Sequence, residues 1–141
     1  MATIRTANAH WEGSLLEGAG TVSLDSSGIG SYEVSWASRA NDANGKTSPE
    51  ELIAAAHSTC YSMALSHALA GAGTPPQTVD TKADVTFQPG EGITGIHLTV
   101  RASIPGISSE DFAKTAEEAK ANCPVSKALA GTTITLDAAL V

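Results

Sequence analysis

The sequence predicts an α+β protein with antiparallel sheets around one long helix. Three observations carry this. Thr47 to Gly71 (TSPEELIAAAHSTCYSMALSHALAG) has a helix start at one end and a glycine stop at the other. Stretches on either side alternate apolar and polar residues with the period of half-buried strands. Short, turn-like links join the early stretches, which favours an antiparallel meander over parallel crossovers. The resulting order is three strands, helix, two strands, helix, short helix, strand.

Each element has a local reason. Residues 3–13 alternate loosely up to Gly13, residues 20–25 (GTVSLD) form a second short strand, and residues 26–30 (SSGIG) make a turn by composition. Ser31 to Ser38 predicts a half-buried strand with Tyr32, Val34 and Trp36 on one face. Residues 39–46 (RANDANGK) are a polar loop. In the long helix Ser48 is the N-cap, Pro49 fits the first helical position, and Glu51 at the third completes a capping box. Gly71 and the prolines at 75 and 76 end it. Thr78 to Gln88 and Ile93 to Ile104 form a hairpin across Pro89–Gly92, with Ile96, Leu98, Val100 and Ala102 on one face of its second strand. Ser108 to Ala121 is a helix with Glu110 and Asp111 in its first turn and an apolar stripe at Phe112, Ala116 and Ala119. Pro124 opens a short helix over 125–130, and Thr132 to Leu140 closes the chain as a strand.

Composition narrows the function classes. At 141 residues one domain spanning 1–141 is expected. A net charge of −7 argues against a nucleic-acid binder, which carries a basic patch. Met1 to Ala9 lacks the apolar run of a secretory leader, so a cytoplasmic protein is expected. From Leu52 to Val79 there is no Asp, Glu, Lys or Arg, but two His, several Ser and Thr interrupt the stretch, which fits a core helix rather than a membrane span. A helix apolar on all sides needs cover on all sides. A chain this short offers little of it, which predicts a homodimer that sandwiches two such helices. Trp11, Trp36 and Met63 are assigned to the core.

The residues able to carry chemistry are few. The two cysteines are Cys60, mid-helix, and Cys123, ahead of Pro124 where it can cap the short helix. Cys60 lies roughly 15 Å from the start of its own helix, too far for that dipole to act, so its thiolate would need a cation from another segment. A peroxide-reacting cysteine with a resolving partner suits the pair. Cysteine count by itself slightly favours two packed, unrelated residues. Glu50, left free by the capping box, can hold Arg39 in a bidentate pair and so fix a guanidinium that lowers a thiol pKa. Taken singly, each is more often a plain exposed charge. His57 shares a face with Cys60, but a Cys–His dyad on one straight helix rarely aligns for proton transfer. The spacing His57-x2-Cys60-x6-His67 matches no common zinc pattern, which leaves a buried structural histidine.

The segment T-S-P-E-E-L-I-A-A-A-H-S-T-C-Y-S-M-A-L-S, followed sixty-three positions after its cysteine by the cysteine of N-C-P-V-S, resembles the OsmC/Ohr family of osmotically inducible and organic hydroperoxide resistance proteins. The opening A-H-W-E-G, the D-T-K-A-D-V strand, I-P-G-I and the closing I-T-L-D extend the resemblance over nearly the whole chain. His57 and A-H-W-E-G favour the OsmC branch. The resemblance implies an intertwined homodimer of OsmC-like fold, with long helices buried at its centre and active sites at the subunit interface. It implies a thiol-dependent peroxidase of oxidative and osmotic stress defence. Organic hydroperoxides would be the substrate, a dithiol, with a lipoyl-type one as a candidate, the reductant, and no metal, flavin or haem the cofactor. By position Cys60 matches the peroxidatic cysteine, Cys123 the resolving cysteine, Glu50 the glutamate of the P-E motif and Arg39 the OsmC-branch arginine. A different class, a non-enzymatic small-molecule-binding stress protein of the same fold, stays open beside it.

Overall fold

A computed structural model describes residues 1–141. The chain divides into two compact units, Met1–Leu52 and Ile53–Val141.

In the first unit, β1 (Asn8–Glu12), β2 (Ala19–Ser23) and β3 (Ser31–Val34) form an antiparallel sheet in that order. The third strand is shorter than its alternation predicts. Ser35 becomes the N-cap of a short helix, α1 (Trp36–Ala40): its hydroxyl accepts from the Ser38 N–H at 3.1 Å, and the Ser38 hydroxyl accepts from the Ser35 N–H at 3.0 Å. This reciprocal cap satisfies two backbone donors locally and turns the chain before Trp36 can continue the strand. Arg39 therefore lies in the last turn of a helix and not at a strand end.

The long helix α2 (Pro49–Gly71) starts at the predicted place. The Ser48 hydroxyl accepts from the Glu51 N–H at 3.2 Å, but the Glu51 carboxylate accepts from the Thr47 hydroxyl instead of reaching back to the Ser48 N–H. Only half of the expected capping box forms.

The second unit holds the core. Strands β4 (Thr78–Gln88) and β5 (Gly92–Ser103) make the expected hairpin, whose turn uses Gly90 and Gly92 at φ +88° and +100°, a region that side chains disfavour. Strand β6 (Ile134–Leu140) then pairs parallel to β5, from Ile96 opposite Ile134 to Ala102 opposite Leu140. Antiparallel pairing describes the first sheet and the hairpin. The last strand departs from it because helices α3 (Ser109–Asn122) and α4 (Pro124–Ala128) fill the connection and carry the chain back to the same end of the sheet. Ile96, Leu98, Val100 and Ala102 are buried on one face of β5, as their alternation predicts, against Tyr61, Leu65 and Leu69 of α2 and Phe112, Ala116 and Ala119 of α3. The Tyr61 hydroxyl donates to the Ala116 carbonyl at 2.9 Å, so this buried phenol is satisfied.

Burial of α2 differs from the expectation. Its fully buried positions within the second unit are His57, Tyr61, Leu65 and Leu69, one stripe at four-residue spacing, while Met63 is 69% exposed. Trp11, also assigned to the core, is 39% exposed. The helix has no polar face, yet a sheet and α3 can cover only one of its sides. Every buried apolar residue of the core belongs to the second unit, and all five residues of β1 are exposed.

Candidate active site

The four residues expected to act in chemistry form two pairs, each inside one unit. In the first unit, the reciprocal cap of α1 sets Arg39 against the first turn of α2. Its Nε donates to both Glu50 oxygens, at 3.1 and 3.2 Å, and Nη2 donates to Oε2 at 2.9 Å. This side-on fork fixes the plane of the guanidinium, as a single lysine contact would not. The Glu50 side chain is 8% exposed and that of Arg39 32%, so the carboxylate is the buried anchor and the guanidinium its outward-facing tip. Glu50 also lies in the first turn of α2, where a negative charge is favoured. Arg39 lines a cleft of about 450 Å³ whose other walls include Trp11, Leu15, Val22, Val34 and Trp36. The strand alternation and the α1 turn thus gather an apolar wall beside one oriented cation.

In the second unit, Cys60 and Cys123 are free thiols that share the core cluster and are close enough to shift each other's pKa. Cys60 comes from the middle of α2 and is partly buried. Cys123 is fully buried at the joint where α3 ends and α4 begins; its N–H donates to Ala119 O at 2.9 Å, closing α3. Pro124 occupies the first position of α4, as the sequence predicts. The two sulfurs sit in different fields. Burial pushes the Cys60 thiol up, the neighbouring Cys123 adds to this, and the Val125 N–H opposes it. Burial also works against a charge on Cys123. There, however, the Cys60 thiol, the Ser126 N–H and hydroxyl, and the Val125 N–H together hold the pKa below the ordinary thiol value. Cys123 makes no side-chain cap hydrogen bond at the start of α4.

His57 is fully buried, three residues before Cys60, and its Nε2 lies 2.7 Å from the Ser126 hydroxyl. Its Nδ1 is buried without a hydrogen-bond partner, and burial lowers its pKa, which favours the neutral ring. Ser126 is the residue that sequence reasoning passed over. The signal was present in N-C-P-V-S, since a residue three positions after an N-cap faces the capping side chain. His67 lines a separate depression with Ser62, Met63, Ser66 and Pro76. The side chains of His, Cys, Asp and Glu nowhere gather in threes as a metal ion would require.

Known proteins resemble this chain in sequence and in fold. Residues 41–137 match the OsmC-like protein family. Peroxiredoxin OsmC of Escherichia coli (strain K12) is 42% identical over 97% of this chain and 96% of its own length. Among solved structures, an organic hydroperoxide resistance protein OsmC from Legionella pneumophila superposes with a TM-score of 0.72 at 21% identity, covering 99% of this chain and 98% of that one. OhrB of Bacillus subtilis gives 0.70 at 22% identity, covering 95% and 98%. The two structures speak to the fold alone. No helix is long and apolar enough to cross a membrane. With the family matched over most of the chain and a relative at 42% identity over nearly all of it, the chain belongs to the OsmC family and is a peroxidase-type enzyme.

Proposed function

We propose that the chain reduces organic hydroperoxides to alcohols through Cys60, with Cys123 as the resolving thiol and Arg39 and Glu50 as the pair that activates the thiolate and orients the peroxide. The observation that carries this is the pairing of two free thiols at the α3–α4 joint in a chain without other cysteines. Burial pushes Cys60 up, so its thiolate needs a positive charge in the working enzyme. Arg39, held rigid by Glu50, is the guanidinium prepared to supply it. The Cys60 thiolate attacks the distal peroxide oxygen and the O–O bond breaks. The alkoxide takes a proton and leaves as alcohol, and Cys60 remains as a sulfenic acid. Cys123 then displaces the sulfenic oxygen as water, forming the Cys60–Cys123 disulfide. An external dithiol restores both thiols; a lipoyl-type dithiol is one candidate.

The protein works as a homodimer in this account, with all of 1–141 as one OsmC-like domain in each subunit and with a cytoplasmic location. Support comes from the first unit, which has no buried apolar core of its own, and from the bare faces of α2. Whether Arg39 serves Cys60 of its own chain or of the partner subunit, the Trp11–Trp36 cleft provides apolar surface for an alkyl group next to the guanidinium. The substrate preference follows: alkyl and lipid hydroperoxides over hydrogen peroxide. A panel of cumene hydroperoxide, a fatty-acid hydroperoxide and hydrogen peroxide, with dihydrolipoamide as reductant, tests it. Faster turnover of the two organic substrates and complete loss with Cys60→Ser are expected. Hydrogen peroxide turned over at least as fast would overturn the preference, and activity retained by Cys60→Ser would overturn the assignment. The same cleft would serve a non-enzymatic binding role; saturable binding of an alkyl alcohol without thiol loss under peroxide would favour that instead.

A further inference from the structure

His57 and Ser126 are two buried polar side chains that the mechanism above leaves unused. Their exposures are 0% and 5%, and they join α2 to α4 across 69 positions of sequence by one 2.7 Å hydrogen bond. Ser126 sits three residues after Cys123, in the first turn of α4, and its hydroxyl helps to hold the Cys123 pKa down. His57, Ser126, Cys123 and Cys60 therefore cluster within the second unit, His57 and Ser126 through their hydrogen bond and the other groups through their influence on the two thiols.

The proton positions in this cluster can be deduced. A serine hydroxyl has one proton to give and lone pairs to accept with. If Ser126 gave its proton to His57 Nε2, the imidazole proton would sit on Nδ1, a buried donor without a partner. If His57 carries its proton on Nε2 and donates to Ser126, the atom left unpaired is a bare acceptor nitrogen of a neutral ring. A missing partner costs a buried acceptor less than a buried N–H. The second tautomer also leaves the serine proton free for the sulfur.

We propose that His57 is a positioning residue for disulfide formation: its Nε2–H donates to Ser126 Oγ and so commits the Ser126 hydroxyl proton to Cys123 Sγ. The inference rests on the two-cysteine cycle proposed above. In that cycle the step it serves is Cys60–SOH plus Cys123–SH going to the disulfide and water. The S–S bond forms as the S–O bond breaks, the Cys123 sulfur is oxidised as the sulfenic sulfur is reduced, and the thiol proton leaves with the hydroxide as water. A hydroxyl directed at Cys123 stabilises the thiolate that attacks. It does not assist the earlier reaction of Cys60 with peroxide, because a charge on the neighbouring Cys123 opposes one on Cys60.

Single-turnover kinetics separate the two steps. Reduced protein is mixed with one equivalent of cumene hydroperoxide, and quenched samples are analysed by mass for dimedone-trapped sulfenic acid and for the Cys60–Cys123 disulfide. Ser126→Ala and His57→Leu are expected to form the sulfenic acid no more slowly than the native chain and to close the disulfide at least tenfold more slowly. His57→Gln, whose amide N–H can take the place of Nε2–H, is expected to restore closure to within about threefold. A merely structural role would slow both steps together. Closure at the native rate in Ser126→Ala and His57→Leu, equal slowing of both steps, or His57→Gln as slow as His57→Leu would each overturn the inference. Should Ser126→Ala not fold, the two His57 variants carry the same comparison. If the native chain itself forms neither sulfenic acid nor disulfide, the underlying cycle fails and this inference with it; native closure with indifferent variants overturns the inference alone.

Discussion

Arg39 and Glu50 illustrate what a side chain contributes beyond its charge. Three N–H contacts to one carboxylate fix the guanidinium plane, and lysine can supply only a point charge in its place. Arg39→Lys is therefore expected to lower kcat/KM for organic hydroperoxides by about 10- to 100-fold while the net charge is unchanged. Steady-state assays check this, and near-native activity would remove Arg39 from the reaction. His57 makes a separate prediction about stability. Burial lowers its pKa from 6.5, so below that value the unfolded chain takes up a proton that the folded chain refuses. Its effect on stability is absent above about pH 6.5 and grows unfavourable as pH falls, with a slope of no more than about 1.4 kcal/mol per pH unit. Urea titrations at pH 7.5 and 5.5 should show this loss in the native chain and a smaller one in His57→Gln. At this scale the sequence was legible where a motif names atoms: Cys60, Cys123 and Glu50 stand out by type and context. Ser126 did not stand out, because its role depends on His57, sixty-nine residues away.

At the level of elements, local chemistry decided where the alternating pattern stops. Tyr32, Val34 and Trp36 alternate as a strand should, but the reciprocal Ser35–Ser38 cap offers the backbone its hydrogen bonds earlier and makes α1 instead. Periodicity sees only side-chain polarity, whereas this cap is a competition between hydrogen-bonding partners. The turn matters because it delivers Arg39 to Glu50. Ser35→Ala is expected to cost about 1 kcal/mol of stability and to weaken activity in parallel with loss of the Arg39–Glu50 geometry. Chemical denaturation and the peroxide assay check both halves. The core elements were more legible: the β5 face at Ile96, Leu98, Val100 and Ala102 and the α3 stripe at Phe112, Ala116 and Ala119 are buried as their spacing predicts. Leu65→Ala, at a fully buried position between them, should cost about 2–5 kcal/mol.

For the whole molecule, the informative surface is the one the chain leaves bare. Trp11, Leu15, Leu16, Ile29, Tyr32 and Met63 are large apolar residues exposed in a chain that otherwise sorts its residues well. A three-stranded sheet with no buried face of its own needs something to pack against. A second copy of the chain meets that need, so a solution mass of twice 14.3 kDa is expected by light scattering at micromolar concentration. A monomer at that concentration would contradict it. The sequence hinted at this need through a helix with no polar side. The alternation of β6 does not reveal that it returns parallel to β5, because an alternating strand reads the same in either direction. Topology came from the two helices in the connection.

The central claim is that Cys60 and Cys123 form one redox unit. A thiol titration of the reduced protein before and after one equivalent of cumene hydroperoxide, with non-reducing mass analysis, tests it most directly. Loss of two thiols per chain with an intrachain Cys60–Cys123 link is the predicted result. Retention of both thiols under excess peroxide would contradict it.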